Sequence, residues 1–461
     1  MNEGPLPLRR PLYHFTARQG WINDPLGVTF RHGRVDLFYQ HVADANRWWP
    51  HCRWGHATST DLVSWEERPP ALVPGDGDGG CWSGCVVVAE DQTLILYTAV
   101  SSPDLAIGRV RAAWPDDDSW DSWAKGQVVA ELPNDIDAFA FRDPFVWRDH
   151  EQWRMLVGAG LRGGTAAVLT FVSPDLVSWT YDGIFAQRST LEREPLWTGA
   201  LWECPQLVRV GGEEFLVVSV WENEVLHYVA CARGIHRAGR FDIAGWQRLT
   251  HGPSHYAASS FRDDEGRLGL VYWLREIGGR SGTWIGALSV PHRLSVQDGA
   301  LVAEPHPRIH GAHSELVTHG RRLDGPTRLA LPSWHCDIQL SLGQGKGHIR
   351  LRVLPAGGSA QAAFTLELDS YEGTLTITTP DDRGGPWTTP VPSPPTELRV
   401  LLDGCMAEVF AGPAGVLAVP LAVEFDEAAP DLEVHAAEEW GAVLTVWDMG
   451  MAQLTDDDTL T

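Results

Sequence analysis

Apolar positions along this chain come in short runs, not in helical periods. RVDLFYQHV (34–42), TLILYTAV (93–100), WRMLVGAG (153–160), EFLVVSVW (214–221) and LGLVYWL (268–274) are rich in β-branched and aromatic residues. Each is bounded by Gly, Asp or Pro, which predicts a strand. From Ala330 to Val446 the pattern changes to alternation: CDIQLSLG, HIRLRVLP, AAFTLELD, TLTITTP, ELRVLLDG, AEVFAG, LAVPLAV and AVLTVWDM. Alternation predicts sheets with one buried face. The fold class is therefore all-β, with two parts of different character.

An internal repeat narrows the first part. STDLVSWE begins at Ser59 and SPDLVSWT at Ser173, each after a strand-like segment. The Asp is placed to bond its own backbone in a turn, while Leu and Trp plug a sheet edge. GRFDIAGWQRL (239–249) reads as a third, degraded copy. Recurrence of one unit along a β chain predicts radially arranged sheets, a β-propeller. The alternating region predicts a β-sandwich. The expected division is a propeller over 1–300, a linker over 301–325 and a sandwich over 326–461.

Composition adds limits. The chain holds 22 Trp in 461 residues, spread along its length, which suits many similar β units with Trp in their cores. A formal charge of −24 excludes a basic footprint for nucleic acid and disfavours anionic membranes. No run approaches the roughly 20 apolar residues of a membrane span, and MNEGPLPLRRPLYHF lacks the apolar core of a secretory signal. Seven irregularly spaced cysteines with no paired CxxC argue against structural zinc and for reduced thiols. A cytoplasmic protein is expected, secreted only if a signal has been trimmed. No metal and no cofactor are expected.

Three acids stand out: Asp24 in WINDPLG, Asp143 in FRDPFV and Glu203 in WECPQL, all in the Trp-rich part. Taken singly, NDP is a common turn and RDP a common ion pair at a strand end. Together they point to a pocket that gathers carboxylates, since a buried acid is costly unless used or paired. Glycosidic cleavage needs two carboxyl groups, one to protonate the leaving oxygen and one to attack or to activate water. Asp24 is the candidate nucleophile. Glu203, between Trp202 and Cys204, is the candidate acid, with apolar contact expected to raise its pKa. Arg142 is expected to keep its neighbour Asp143 ionised.

These motifs resemble glycoside hydrolase family 32, the β-fructofuranosidases: invertases, sucrose-6-phosphate hydrolases, inulinases, levanases and related fructosyltransferases. HFTARQGWINDPLG is similar to the family's nucleophile motif. FYQH with Gln40, WGHATSTDLVSWE from Trp54 and CWSGC around Ser83 resemble the motifs that follow it. FRDP and WECP resemble its other acidic motifs, in the right order. HYAASSFRDDEGR (255–267) and WIGALSVPHRL (284–294) resemble later segments of its catalytic domain, and LLDGCMAEVFAG (401–412) a signature of its C-terminal sandwich.

The resemblance implies a five-bladed β-propeller with a funnel at its axis, followed by a β-sandwich. It implies Asp24 as nucleophile, Glu203 as acid/base and Asp143 as transition-state stabiliser. Substrate contacts are implied for Asn23, Gln40, Trp49, Trp82, Ser83, Arg142 and Tyr256. By spacing from Gln40, Trp48 fits the Trp49 position equally well. The chain departs from the family pattern at Leu26, at Ser254 and His255, and at Pro50 and His51, positions expected at the pocket mouth.

The reaction implied is retaining hydrolysis of terminal β-D-fructofuranosyl groups through a covalent fructosyl-enzyme, with the two carboxyl groups about 5–5.5 Å apart. Sucrose or a short fructo-oligosaccharide is the expected small-molecule carbohydrate partner. Sucrose 6-phosphate is less favoured, because no basic cluster stands beside the motifs. A fructosyltransferase, a fructan hydrolase and a non-catalytic sugar-binding propeller are the alternatives.

Overall fold

The computed structural model describes residues 8–279, 282–356, 361–380, 385–424 and 427–450. The five apolar runs are the strands Arg34–Val42, Thr93–Val100, Gln152–Leu161, Glu213–Glu222 and Leu268–Leu274. Each is, in chain order, the second strand of its own sheet and pairs antiparallel with its neighbours. Their near-continuous hydrophobicity follows from position: a second strand is covered on both faces, so it has little need of polar alternation.

The first sheet comprises Gly20–Arg31, Arg34–Val42, Arg53–Ser59 and Glu66–Leu72, with Trp284–Ile285 added parallel to Gly20–Arg31. The second runs Gly80–Val88 to Trp123–Ala130, the third Ala138–Asp149 to Thr180–Ser189, and the fourth Leu201–Val210 to Arg240–Arg248. The fifth comprises His255–Arg262, Leu268–Leu274, His292–Gln297 and Ala300–Pro305, with Ala287–Leu288 also paired to Leu268–Leu274.

The first strands of these sheets touch in a closed ring: Gly20–Arg31, Gly80–Val88, Ala138–Asp149, Leu201–Val210 and His255–Arg262, the last packing back on the first. A separate apolar core fills each gap. Phe38 and Trp54 meet Tyr97 and Trp123 between the first two sheets. Val35 and Leu37 meet Phe261 and Val271 between the fifth and the first.

Two further sheets follow. The seven-stranded one is ordered Thr250–His251, Val416–Pro420, Met406–Phe410, Glu397–Asp403, His335–Ser341, Val443–Met449 and His313–Arg322. The six-stranded one runs from Thr327–Ala330 to Trp387–Pro390. Alternate side chains of both, among them Ile338, Leu351, Phe364 and Val446, share one core.

Segment 301–325, expected as a linker, is structured. Ala300–Pro305 completes the fifth sheet, Pro307–Ala312 is a 3-10 turn, and His313–Arg322 is an edge strand paired with Val443–Met449. That strand is mostly exposed, so HSELVTHGRR carries little apolar pattern to announce it.

The repeated turn is real in two copies. Asp61 Oδ1 accepts from the Val63 and Ser64 amides at 2.8 and 2.7 Å, and Asp175 Oδ1 from Val177 and Ser178 at 2.9 and 2.7 Å. Leu62 and Leu176 are both buried. Both turns join the third and fourth strands of their sheets. The third copy is not one. Arg237 and Arg240 instead flank a two-residue turn, Ala238 and Gly239, with φ of 47° and 77°. Positive φ at both positions is the tight hairpin geometry, and Asp242 lies in the ladder opposite Ile235.

Candidate active site

Each of the five ring strands is interrupted at a similar place, and Gly20–Arg31 and Ala138–Asp149 carry a second shift elsewhere. Partners run Asn23↔Gln40 then Pro25↔Tyr39 in the first sheet, and Trp82↔Thr98 then Gly84↔Tyr97 in the second. In the third, fourth and fifth sheets the shift falls between Arg142 and Phe145, Glu203 and Gln206, and Tyr256 and Ser259. One extra residue at each of these places is a β-bulge, which bends the strand and re-aims its side chains. Asp24, Asp143, Cys204 and Ala257 sit there at φ of 37°, 67°, 46° and 48°. These left-handed conformations are unfavourable for residues with a Cβ and persist where the surroundings hold them. Pro25, Pro144 and Pro205 follow three of them, where the interrupted ladder needs no N–H.

The bulges deliver their polar side chains to one cavity of about 690 Å³. Asn23, Asp24, Gln40, Trp82, Arg142, Asp143, Glu203 and Tyr256 line it. Ser83 stands behind Asp24: its Oγ donates to Asp24 Oδ2 at 2.6 Å, and Gln40 Nε2 donates to the same oxygen at 3.0 Å. Gln40 is itself fixed, accepting from the Cys52 thiol at Oε1. Asn23 accepts from Trp21 Nε1 at 3.0 Å and bonds Asp24 through its side chain.

Glu203 is held at both oxygens. Oε1 accepts from Arg142 Nε and Nη2 at 2.9 and 2.8 Å, and Oε2 from the Tyr256 hydroxyl at 2.6 Å. Polar partners therefore replace the apolar contact expected for this acid, and Arg142 closes on Glu203, not on its neighbour Asp143. Asp143 Oδ2 accepts from the Cys204 amide at 3.0 Å.

Burial raises the Asp24 carboxyl to about 6, against the hydrogen bonds from Ser83 and Asn23. Burial, and then the Glu203 charge, raise Asp143 to about 7, with Arg142 opposing. Arg142 was expected to hold Asp143 ionised; its guanidinium is spent on Glu203, so the like charge prevails. Burial and Glu203 also raise the Tyr256 phenol, which keeps it a donor.

Aromatic walls complete the cavity: Trp21, Trp48, Trp82, Phe139, Trp221 and Trp273. The expected Trp49 is not among them. Trp48 takes that place, its ring 5.5 Å from Trp82, while Trp49 lies 47% exposed beside Arg47 and His51.

Glu224, Arg275 and Glu276 also line the cavity and were not singled out in the sequence. Arg275 donates to the carbonyls of Leu226, His227 and Ser254, and sits 5.1 Å from the Tyr256 ring centre. Glu224 lies in a two-residue turn closed by Glu222↔Val225. WENEV reads like any hairpin, and only the fold shows that it meets the ring axis.

All seven cysteines are buried, and none is in a disulfide. No helix among the described residues is long and apolar enough to cross a membrane.

A family model described as the glycosyl hydrolases family 32 N-terminal domain matches residues 14–305. The chain is 33% identical over 440 residues to a sucrose-6-phosphate hydrolase of Zymomonas mobilis, covering 87% of this chain and 84% of the relative. It is 29% identical over 435 residues to a raffinose invertase of Escherichia coli, covering 87% and 86%. Among solved structures, a Bombyx mori GH32 beta-fructofuranosidase aligns with a TM-score of 0.80 at 22% identity, over 96% of this chain and 94% of that one. Fructan 1-exohydrolase IIa from Cichorium intybus aligns with a TM-score of 0.78 at 21% identity, over 96% and 98%. At that identity the structural likeness speaks for the fold.

Proposed function

The chain belongs to glycoside hydrolase family 32, and from that premise we propose that it is a retaining β-fructofuranosidase that releases terminal β-D-fructofuranosyl residues. We read the ring of five sheets as a five-bladed β-propeller and the last two sheets as a β-sandwich. The propeller then spans the chain to about Pro305, and the sandwich follows with no irregular linker.

The observation that carries the reading is the pairing of two differently held carboxyl groups in one cavity. Asp24 is the nucleophile. Oδ2 is committed to Ser83 and Gln40, which assigns attack on the anomeric carbon C2 to Oδ1. Breaking the C2–O bond releases the leaving oxygen, and Glu203 supplies its proton. Glu203 then takes a proton from water as the hydroxide adds to C2 and Asp24 leaves. Arg142 and Tyr256 hold both oxygens of Glu203, so its position is set before substrate arrives. Asp143 accepts a hydrogen bond from a fructosyl hydroxyl as positive charge builds on the ring. Trp82 and Trp48 give the sugar its apolar surface.

The substrate is sucrose or a short fructo-oligosaccharide. Relatives are named for sucrose 6-phosphate. The uncharged sugar is favoured here by the cations at the cavity: Arg142 is bound to Glu203 and Arg275 to three carbonyls, while Glu224 and Glu276 add negative charge. Seven buried cysteines without a disulfide support a reducing, cytoplasmic setting. A hydrolysis panel of sucrose, sucrose 6-phosphate, raffinose, inulin and levan tests the reading. Sucrose should give glucose and fructose in equal amounts, at a higher kcat/KM than its 6-phosphate. Failure to cleave any fructoside would refute it.

A further inference from the structure

The segment LLDGCMAEVFAG places a carboxylate where the fructosidase chemistry has no direct use for it. Glu408 lies in Met406–Phe410 of the seven-stranded sheet and is 0% exposed. It nevertheless accepts three hydrogen bonds from outside that sheet. Oε1 accepts from His255 Nε2 at 2.7 Å and His292 Nε2 at 2.9 Å; Oε2 accepts from His14 Nε2 at 2.9 Å. His255 and His292 belong to the fifth sheet of the ring. The other nitrogen of His14 is 2.8 Å from Asp403, so this imidazole bridges two carboxylates.

His255, His292 and Glu408 could be taken for metal ligands. The geometry argues otherwise. Both Nε2 atoms lie at N–H···O distance from one oxygen, and both Nδ1 atoms are buried without a partner. A ligating histidine instead donates its second ring nitrogen to an outer partner.

His255 immediately precedes Tyr256, and neighbouring residues of a strand point to opposite faces. One face therefore meets Glu408, and the other presents the hydroxyl that holds Glu203. The bulge follows at once: pairing stops at Tyr256↔Trp273 and resumes only at Ser259↔Val271, with Ala257 at a φ of 48° between. The ladder is weakest where the aim of Tyr256 matters most. A buried side-chain anchor one residue earlier supplies the missing constraint.

We propose that Glu408 is a positioning residue for the reaction: through His255 it fixes Tyr256, and through Tyr256 the carboxyl group of Glu203. The proposal rests on the fructosidase reading above. It gives the last two sheets a part in catalysis without their touching substrate.

His255→Leu and His292→Leu form the test, because each removes one donor from the same buried oxygen and only the first adjoins Tyr256. Steady-state sucrose hydrolysis is measured at a temperature where circular dichroism shows each variant folded. His255→Leu should lose about tenfold or more in kcat with KM within about twofold, and His292→Leu should keep kcat within about twofold. His255→Gln, which returns an N–H near the place of Nε2, should recover most of the loss. Glu408→Gln should lose kcat as His255→Leu does; if it fails to fold, the histidine pair decides. Equal losses in both leucine variants, or an unchanged kcat in His255→Leu, would overturn the proposal. An unsubstituted protein inert on every fructoside would instead sink the fructosidase reading.

Discussion

Arg142 binds Glu203 through two nitrogens, at 2.9 and 2.8 Å, although its neighbour in the chain is Asp143. The extra residue between Arg142 and Phe145 turns the two side chains apart, so the cation serves the carboxylate of the next sheet. A lysine cannot reproduce this two-point grip. Arg142→Lys should lower kcat by about 10- to 100-fold with a smaller change in KM, because Glu203, the proposed acid, is left misplaced. Steady-state kinetics on sucrose checks it.

Asp143 is raised from 3.8 to about 7 in the folded protein, by burial and by Glu203. A raised carboxyl binds its proton more tightly folded than unfolded. Stability therefore falls as pH rises from about 4 to about 7, and the loss is fully present above that range. Asp143→Asn removes a charge that is costly to bury. It should raise the melting temperature at pH 8, by an amount corresponding to roughly 1–3 kcal/mol. The gain should vanish as the pH is lowered towards 4, and a thermal melt series across pH reads both.

As the proposed nucleophile, Asp24 has to be ionised to attack, and it stands at about 6. The value of kcat/KM for sucrose should therefore fall tenfold per pH unit on the acid side of about 6. A plateau extending down to the ordinary carboxylate range would show that Asp24 is not the group being titrated.

Trp48 and Trp49 are both partly exposed, and only Trp48 lines the cavity. Trp48→Ala should raise KM by about three- to tenfold, the worth of one aromatic contact, while Trp49→Ala leaves it unchanged. Comparing the two variants on sucrose separates them.

Residues of the ring strands were legible because a bulge leaves marks. NDP, RDP and ECP each set a cavity-lining side chain before a proline or one residue ahead of it, at the point where the strand is broken. The second strands were legible because burial on both faces requires continuous apolar runs. Other features were hidden for equally physical reasons. Arg275, Glu224 and Trp221 reach the cavity from second strands and hairpins whose local sequence has nothing unusual. Strand His313–Arg322 is an exposed edge without alternation. GRFDIAGWQRL shares letters with the Asp-capped turn but closes on Ala238 and Gly239 instead. The partner of Arg142 could not be read either, since adjacency in sequence says nothing of which carboxylate a bulged strand will face.

The account rests on Asp24 acting as the nucleophile, and Asp24→Asn tests that most directly. The variant keeps the size of the side chain and removes the attacking charge. With a melting temperature at or above that of the unsubstituted protein, it should hydrolyse sucrose at a kcat lower by about 10⁴-fold or more. A folded Asp24→Asn protein that turns over sucrose at a near-normal rate would contradict the account.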